Sequence, residues 1–214
     1  WGLDYEDLVK IKPDIIKLSM PLMGKEGPRR HYSGGGPGIE AAAGLKYITG
    51  YPDRPPIGSA TGYPDYGPNP RHGIMGLLAA LHYRNRTGKG QNIEMCQHES
   101  TICFTGTALL DYTVNRHVQT RMGNQVPHAA PHDTYRCKGD DRWCVIAVST
   151  DEEWNAFCKV IGNPPWSKEE KFSTLLGRKE HEDELNSLVN EWTLERTPEE
   201  VMMLMQQAGV AAAV

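Results

Sequence analysis

Leu77-Leu78-Ala79-Ala80-Leu81-His82-Tyr83-Arg84-Asn85-Arg86-Thr87-Gly88-Lys89-Gly90-Gln91-Asn92-Ile93-Glu94-Met95 reads as a helix running into a short strand. Ile74, Leu77, Leu78 and Leu81 recur at i, i+3, i+4 and i+7, which predicts one buried apolar stripe. Gly73, Gly76 and Ala80 form a second, slim face suited to close packing. Arg84 and Arg86 favour the C-terminal end of the helix dipole, and Thr87-Gly88-Lys89-Gly90 stops it. Asn69-Pro70 predicts the start, with Asn as N-cap and Pro at the first helical position. Upstream, Ile15 to Met20 is a branched, apolar run held between Pro13 and Pro21, the pattern of a buried strand.

Outward from this segment the chain changes texture twice. Asp4 to Ile11 is short and amphipathic. Residues 24–73 hold more than half of the 22 glycines and 15 prolines, with helical character only from Ile39 to Thr49. An irregular region of that length inside a folded domain is usually functional or a linker. A helix is expected from about His98 to Tyr112, and a polar crossing between domains from Arg116 to Asp133. Beyond it, Thr134–Cys137 and Trp143–Val148 flank Gly139-Asp140-Asp141 as a hairpin. Three helices should follow. One opens on a capping box at Thr150 and Glu153, buries Trp154, Phe157 and Ile161, and stops at Gly162; one runs from about Arg178 to Trp192 on Leu185, Leu188, Val189 and Trp192. The last opens on Thr197-Pro198-Glu199-Glu200 and buries Val201, Leu204, Met205 and Ala208. Trp1-Gly2-Leu3-Asp4 lacks an initiator Met and Gly209 to Val214 reads like an element beginning, so a segment of a longer protein is expected.

Composition narrows the function classes. A net charge of −4 gives no electrostatic case for nucleic acid. No apolar run approaches the ~20 residues of a membrane span. The cysteines (Cys96, Cys103, Cys137, Cys144, Cys158) are odd in number with no C-x-x-C pair, which fits free thiols in a reducing compartment. Cys96, Cys103 and Cys158 are expected on buried elements. His128, His132 and Asp133 have metal-compatible spacing, but Pro131 breaks the helix that would align them, so no metal site is expected. Ser33-Gly34-Gly35-Gly36-Pro37-Gly38 lacks both the Walker and the dinucleotide-binding glycine spacing. Asp65 lies in the Gly/Pro loop Pro55-Pro56-Ile57-Gly58-Ser59-Ala60-Thr61-Gly62-Tyr63-Pro64-Asp65, just ahead of a helix N-terminus. There a carboxylate can attack a carbonyl with backbone donors nearby for the oxyanion, or serve as an ordinary turn residue. The local pattern admits both.

The order of these pieces resembles the family III CoA-transferases, the group that includes formyl-CoA transferase and the carnitine CoA-transferase. The resemblance rests on Lys12-Pro13-Asp14-Ile15-Ile16-Lys17-Leu18-Ser19-Met20 with Gly24 and Gly27-Pro28, on Ala43-Gly44 with Thr49-Gly50-Tyr51-Pro52-Asp53-Arg54-Pro55-Pro56, on Leu78-Ala79-Ala80-Leu81 with Arg84 to Gln91, and on Gly123-Asn124. It implies an α/β fold, with part of a Rossmann-like large domain in residues 1–128 and an incomplete smaller α/β domain in 129–214, from an interlocked homodimer. Asp65 falls where the family keeps its catalytic aspartate, which implies transfer of CoA from an acyl-CoA to a carboxylic acid through an aspartyl-acyl anhydride. Gly34, Gly35, Gly36 and Pro37 align with a region that touches CoA. Coenzyme A is then a substrate, no cofactor is permanently bound, and the cytoplasm is the expected location. The chain departs from formyl-CoA transferase in having glycines where that enzyme has a lysine and a glutamate, and in lacking its extended glycine loop. Two alternatives stand beside this reading. One is racemisation of an α-methylacyl-CoA by a His/Asp pair, although the racemase histidine would align near Gly35, where this chain has no histidine, and His31 is off register. The other is a non-catalytic acyl-CoA-binding subunit of a heteromer.

Overall fold

The computed structural model describes residues 2–59 and 61–214, as a mixed α/β chain of two compact units that divide between Gly123 and Asn124. In chain order the first unit contains α1 (Tyr5–Ile11), β1 (Ile16–Ser19), α2 (Gly36–Ala42), α3 (Tyr63–Tyr66), α4 (Pro68–Thr87), β2 (Gln91–Glu94), α5 (Gln97–Ile102) and α6 (Gly106–Asn115). β1 and β2 pair in parallel, from Ile16 opposite Gln91 to Ser19 opposite Glu94. A parallel pair needs a long crossover, and α4 supplies its final limb.

The slim face of α4 makes the helix–sheet contact. A Cβ on Gly73 would stand 3.2 Å from Met20 Sδ and 3.5 Å from Leu18, and one on Gly76 would stand 3.4 Å from Ile93. The helix backbone therefore lies close on β1 and β2. The broader stripe goes the other way. Ile74 (55 % exposed), Leu78 (61 %), Leu77 and Leu81 are all exposed, correcting the expected buried stripe. Helical periodicity identifies a face made to be covered, but among the described residues the sheet covers only the small-residue face. The strand β1 is half-buried rather than buried for the same reason. In this unit the fully buried hydrophobic residues are Ile39 and Ala80, among the described residues.

Two helix boundaries also move. The start of α4 is capped by Gly67 with Pro68 at the first position, and Asn69 lies inside the first turn, buried, donating from Nδ2 to Gln97 Oε1 at 3.1 Å. At the other end Gly88 takes the left-handed conformation, its N–H bonded to Arg84 O. The helix expected from His98 to Tyr112 is broken into α5 and α6 by a 3-10 turn at Cys103–Thr105. Thr101 and Thr105 turn their hydroxyls back onto the carbonyls of Gln97 and Ile102, an arrangement that bends helices. Cys103 is exposed and Cys96 half-buried, against the expectation that both are buried.

The second unit has a closed core. It contains β3 (His132–Arg136), β4 (Trp143–Ala147), α7 (Asp151–Val160), α8 (Leu175–Glu180), α9 (Glu182–Leu194), α10 (Pro198–Gln207) and β5 (Ala211–Ala213), with an antiparallel sheet in the order β3-β4-β5. Both capping boxes form: Thr150 and Thr197 accept from the backbone N–H of Glu153 and Glu200, whose carboxylates reach back to the cap residues. Trp154, Phe157, Ile161, Leu185, Val189, Val201 and Met205 meet Tyr135, Ile146 and Val148 in one cluster. Leu204 and Ala208 are exposed, so the apolar face of α10 is narrower than its spacing suggests. The helix expected from Arg178 to Trp192 is two, because Glu182, Asp183 and Glu184 open a new first turn after His181.

Arg178 is 1 % exposed in this core. It donates from Nε to Ala130 O at 3.0 Å, from one terminal nitrogen to Phe172 O at 3.2 Å and from the other to Asp151 at 3.4 Å, and lies over the Trp154 ring. Removing it leaves two buried carbonyls without donors and a void, so Arg178→Ala should destabilise the second unit by roughly 3 kcal/mol. Tryptophan fluorescence during urea unfolding reads this directly, since Trp143, Trp154, Trp166 and Trp192 all lie in that unit. Burial pushes the thiols of Cys137, Cys144 and Cys158 up from their ordinary range. Under native conditions a maleimide should therefore label Cys103 first and Cys96 more slowly, and leave the other three unmodified until the protein is denatured.

Candidate active site

Asp65 sits on the single turn α3, between two glycines that also define the turn. Gly62 caps it and accepts the Asp65 N–H at 2.7 Å, and Gly67 donates to Tyr63 O at 2.8 Å before capping α4. The ring of Tyr63 meets Phe104 edge-on, with centroids 6.1 Å apart, which fixes the turn against the segment between α5 and α6. Asp65 is exposed as a residue, yet one carboxylate oxygen is closely confined. A Cβ on Gly36 would overlap Oδ2 and stand 2.9 Å from Cγ, and a Cβ on Gly62 would stand 2.7 Å from Oδ2. The carboxylate thus lies in a notch of bare backbone from α2 on one side and α3 on the other.

The glycine run expected as a loop is a loop only as far as Gly35. Gly35 caps α2 in an extended conformation, and Gly36 and Pro37 form its first turn. Gly36 is buried against Asp65, while Gly34, Gly35 and Pro37 are exposed. Helical geometry then separates two faces. Gly36, Ile39 and Glu40 are buried on one face. Gly38, Ala41 and Ala42 face the other, where they and Gly34 line a cleft of about 660 Å³ with Arg29, Tyr32 and Ser33. Of the four sequence-predicted contact residues, Gly36 meets Asp65 and Gly34 belongs to the cleft on the reverse of α2.

The donors expected from the α4 N-terminus are fewer than a generic helix offers. Pro68 and Pro70 occupy its first and third positions, and neither has an N–H. The first turn is instead braced by side chains. Gln97 relays from Asn69 to Met20 O, donating from Nε2 at 2.6 Å, and His72 Nδ1 is 2.9 Å from both Pro68 O and Ser100 Oγ. In the second unit His132 Nδ1 bonds Asn124 O at 2.7 Å, and Asp133 Oδ1 accepts from Thr134 N and Asn124 Nδ2. Both act there as loop ties.

Sequence reasoning passed over one residue of this region. Glu40, 2 % exposed, accepts from Ser59 N at 2.6 Å and from Ser59 Oγ at 3.2 Å. The available signal was a lone carboxylate between Ile39 and Ala41-Ala42-Ala43, on what is otherwise an apolar and small-residue helix.

The family model for CoA-transferase family III matches residues 1–214. The chain belongs to that family. It is 33 % identical to the succinyl-CoA–D-citramalate CoA-transferase of Chloroflexus aurantiacus, over 99 % of this chain and 52 % of that protein. Identity to the acetyl-CoA:oxalate CoA-transferase of Acetobacter aceti is 29 %, over 98 % of this chain and 53 % of that one. Among solved structures, a CAIB/BAIF family protein from Brucella suis superposes on all of this chain and 56 % of its own, with a TM-score of 0.88 and 28 % identity. The chain thus spans about half the length of the family members it matches. That the same α/β arrangement occurs in the Brucella protein establishes the fold of this family segment.

The notch gives a prediction that does not depend on the reaction. Alanine suits a helix first turn, but a Cβ on Gly36 would also stand 3.0 Å from Gly62 Cα, so the melting temperature of Gly36→Ala should fall by a few degrees, roughly 2–6 °C, without loss of the fold. The new methyl must nevertheless push the Asp65 carboxylate aside, and a crystal structure of the variant should show Asp65 in another rotamer. An unmoved Asp65 contradicts the described packing.

Proposed function

We propose that the protein transfers coenzyme A from an acyl-CoA to a carboxylic acid, with Asp65 as the nucleophile. The observation that carries this reading is the Asp65 carboxylate lying against the bare backbone of Gly36 and Gly62, in a chain of CoA-transferase family III. A carboxylate crowded by backbone on one side keeps its other oxygen for attack, and the crowding restricts the positions it can take before substrate arrives. That oxygen attacks the thioester carbonyl, CoA thiolate leaves, and an aspartyl-acyl anhydride forms. The acceptor carboxylate then attacks the aspartyl carbonyl carbon and expels the first acid, giving a second anhydride. The thiolate attacks the acceptor's acyl carbon in that anhydride, which forms the new thioester and returns Asp65 as a carboxylate. Each intermediate retains the activation of the starting thioester, so no further energy source enters. Water must be excluded while the anhydride exists.

Gly34, Gly35, Gly36 and Pro37 are assigned to contact with the CoA substrate through backbone, since none of them carries a polar side chain. The unit ending at Gly123 is assigned to the larger, Rossmann-like domain expected over residues 1–128, and the unit from Asn124 to the smaller one expected over 129–214. The exposed apolar stripe of α4, and separately the exposed Leu109, Leu110 and Val114 of α6, support further protein over these faces in the working enzyme, an interlocked homodimer by family resemblance. The two relatives are named for a CoA thioester and a dicarboxylic acid each, citramalate or oxalate, which supports a carboxylic acid as acceptor here. No helix among the described residues is long and apolar enough to cross a membrane, and the five unpaired cysteines suit the reducing cytoplasm, where we place the enzyme.

The test uses the full-length protein, incubated with acyl-CoA and then treated with hydroxylamine or borohydride. Mass spectrometry should find the adduct on Asp65. Asp65→Asn should abolish both adduct and turnover, by about 10³-fold or more. Adduct formation elsewhere, or α-proton exchange without acyl transfer, contradicts the reading.

A further inference from the structure

We propose that Glu40 is a positioning residue for Asp65, acting through Ser59; this rests on the reading of Asp65 as nucleophile. Glu40 follows Gly36 by four residues, so the two share one face of α2, a turn apart. Gly36 receives the Asp65 carboxylate, and Glu40 takes hold of the loop that leads to it. The grip is complete at the glutamate: Oε1 accepts the Ser59 N–H at 2.6 Å and Oε2 the Ser59 hydroxyl at 3.2 Å. The single proton of the Ser59 hydroxyl is shared between Glu40 Oε2 and Thr61 O, which lies 3.1 Å away, so the backbone N–H is the firm tie and the side chain links it to the segment leading to Gly62, the cap of α3. Gly58 makes the approach possible. It has φ +69°, and a Cβ there would stand 3.0 Å from Glu40 Oε1, so a side chain would both strain the backbone and crowd the carboxylate.

A carboxylate buried to 2 % exposure is costly unless its oxygens are satisfied, and here they are satisfied by one residue of the loop ahead of the nucleophile. One rigid helix therefore fixes both the notch for the Asp65 carboxylate and the anchor point of the chain six residues before it. Glu40 touches no reacting atom in this scheme. Its effect is on where the Asp65 oxygen stands, and displacement by about 1 Å can cost on the order of 10²-fold in rate.

The experiment measures the single-turnover rate constant for acylation of Asp65 by an acyl-CoA in the full-length enzyme, with the melting temperature recorded for each variant. Glu40→Met keeps the volume and removes both acceptors; its acylation constant should fall about 10- to 100-fold, with the KM for acyl-CoA changed less than about threefold. Glu40→Gln should restore the constant to within about threefold of wild type. Its amide oxygen can accept the Ser59 N–H, while its NH2 donates to the hydroxyl. Ser59→Ala, which retains the backbone tie and remains a folding-neutral control should Glu40→Met not fold, should slow acylation by about threefold. Wild-type acylation in Glu40→Met or, if that variant does not fold, in Ser59→Ala overturns the positioning role, as does a Glu40→Gln as slow as Glu40→Met. Asp65→Asn separates the two claims. If it is inactive while Glu40→Met is normal, only the inference about Glu40 falls; if it turns over normally, the nucleophile reading falls and takes this inference with it.

Discussion

A missing side chain is the constraint on which the site depends. Because Gly36 has no Cβ, the Asp65 carboxylate can lie directly on the first turn of α2, and Gly62 provides the second wall of the same notch. Any other residue at 36 would occupy the space of Oδ2. The glycine run thus acts on the candidate nucleophile through close approach, a role distinct from the flexible anion cradle that glycine-rich loops often suggest. The short turn α3 depends on this fit. Four residues cannot hold a helix by themselves, so its orientation comes from Gly36, from the contact of Tyr63 with Phe104 and from the helix that follows.

The two units differ in how they are stabilised. The second has a contiguous core under a three-stranded antiparallel sheet, two complete capping boxes and a buried arginine that satisfies carbonyls from two loops. The first pairs only two strands, packs them on the glycine face of α4, and leaves that helix's larger apolar residues exposed among the described residues. Polar ties carry more of the local order there: Asn69 to Gln97 to Met20, His72 between Pro68 and Ser100, and Glu40 to Ser59. These ties cluster around the elements that hold Asp65. An apolar face as broad as that of α4 is an uncommon thing to leave in water, which agrees with a chain about half as long as the family members it matches.

Much of the second unit was legible in the sequence because its signals are local. Thr150 with Glu153 and Thr197 with Glu200 specify their helix starts within four residues, and Trp154, Phe157, Leu185, Val189, Val201 and Met205 are buried as their spacing requires. In the first unit the decisive information is non-local. The spacing of Ile74, Leu77, Leu78 and Leu81 marks a face without naming what covers it. Two X-Pro pairs compete for the start of α4, and Gly67-Pro68 prevails over Asn69-Pro70 because Asn69 is drawn inward to Gln97. Asp65 stood out by its place ahead of a helix, but its contact with Gly36 spans 29 positions and has no periodic signature. Glu40 was less visible still, since Ser59 lies 19 residues away and neither residue belongs to a motif.

Oxygen exchange tests the central claim most directly. In the proposed sequence the departing acid carries away one Asp65 oxygen, and the acceptor carboxylate replaces it. Full-length enzyme turned over with an acceptor acid labelled in its carboxylate with oxygen-18 should therefore yield an Asp65 peptide heavier by one label, approaching two after many turnovers. A peptide that remains unlabelled after many turnovers would contradict the account, because no acceptor carboxylate would then have exchanged with the acid bound at the Asp65 carboxyl carbon.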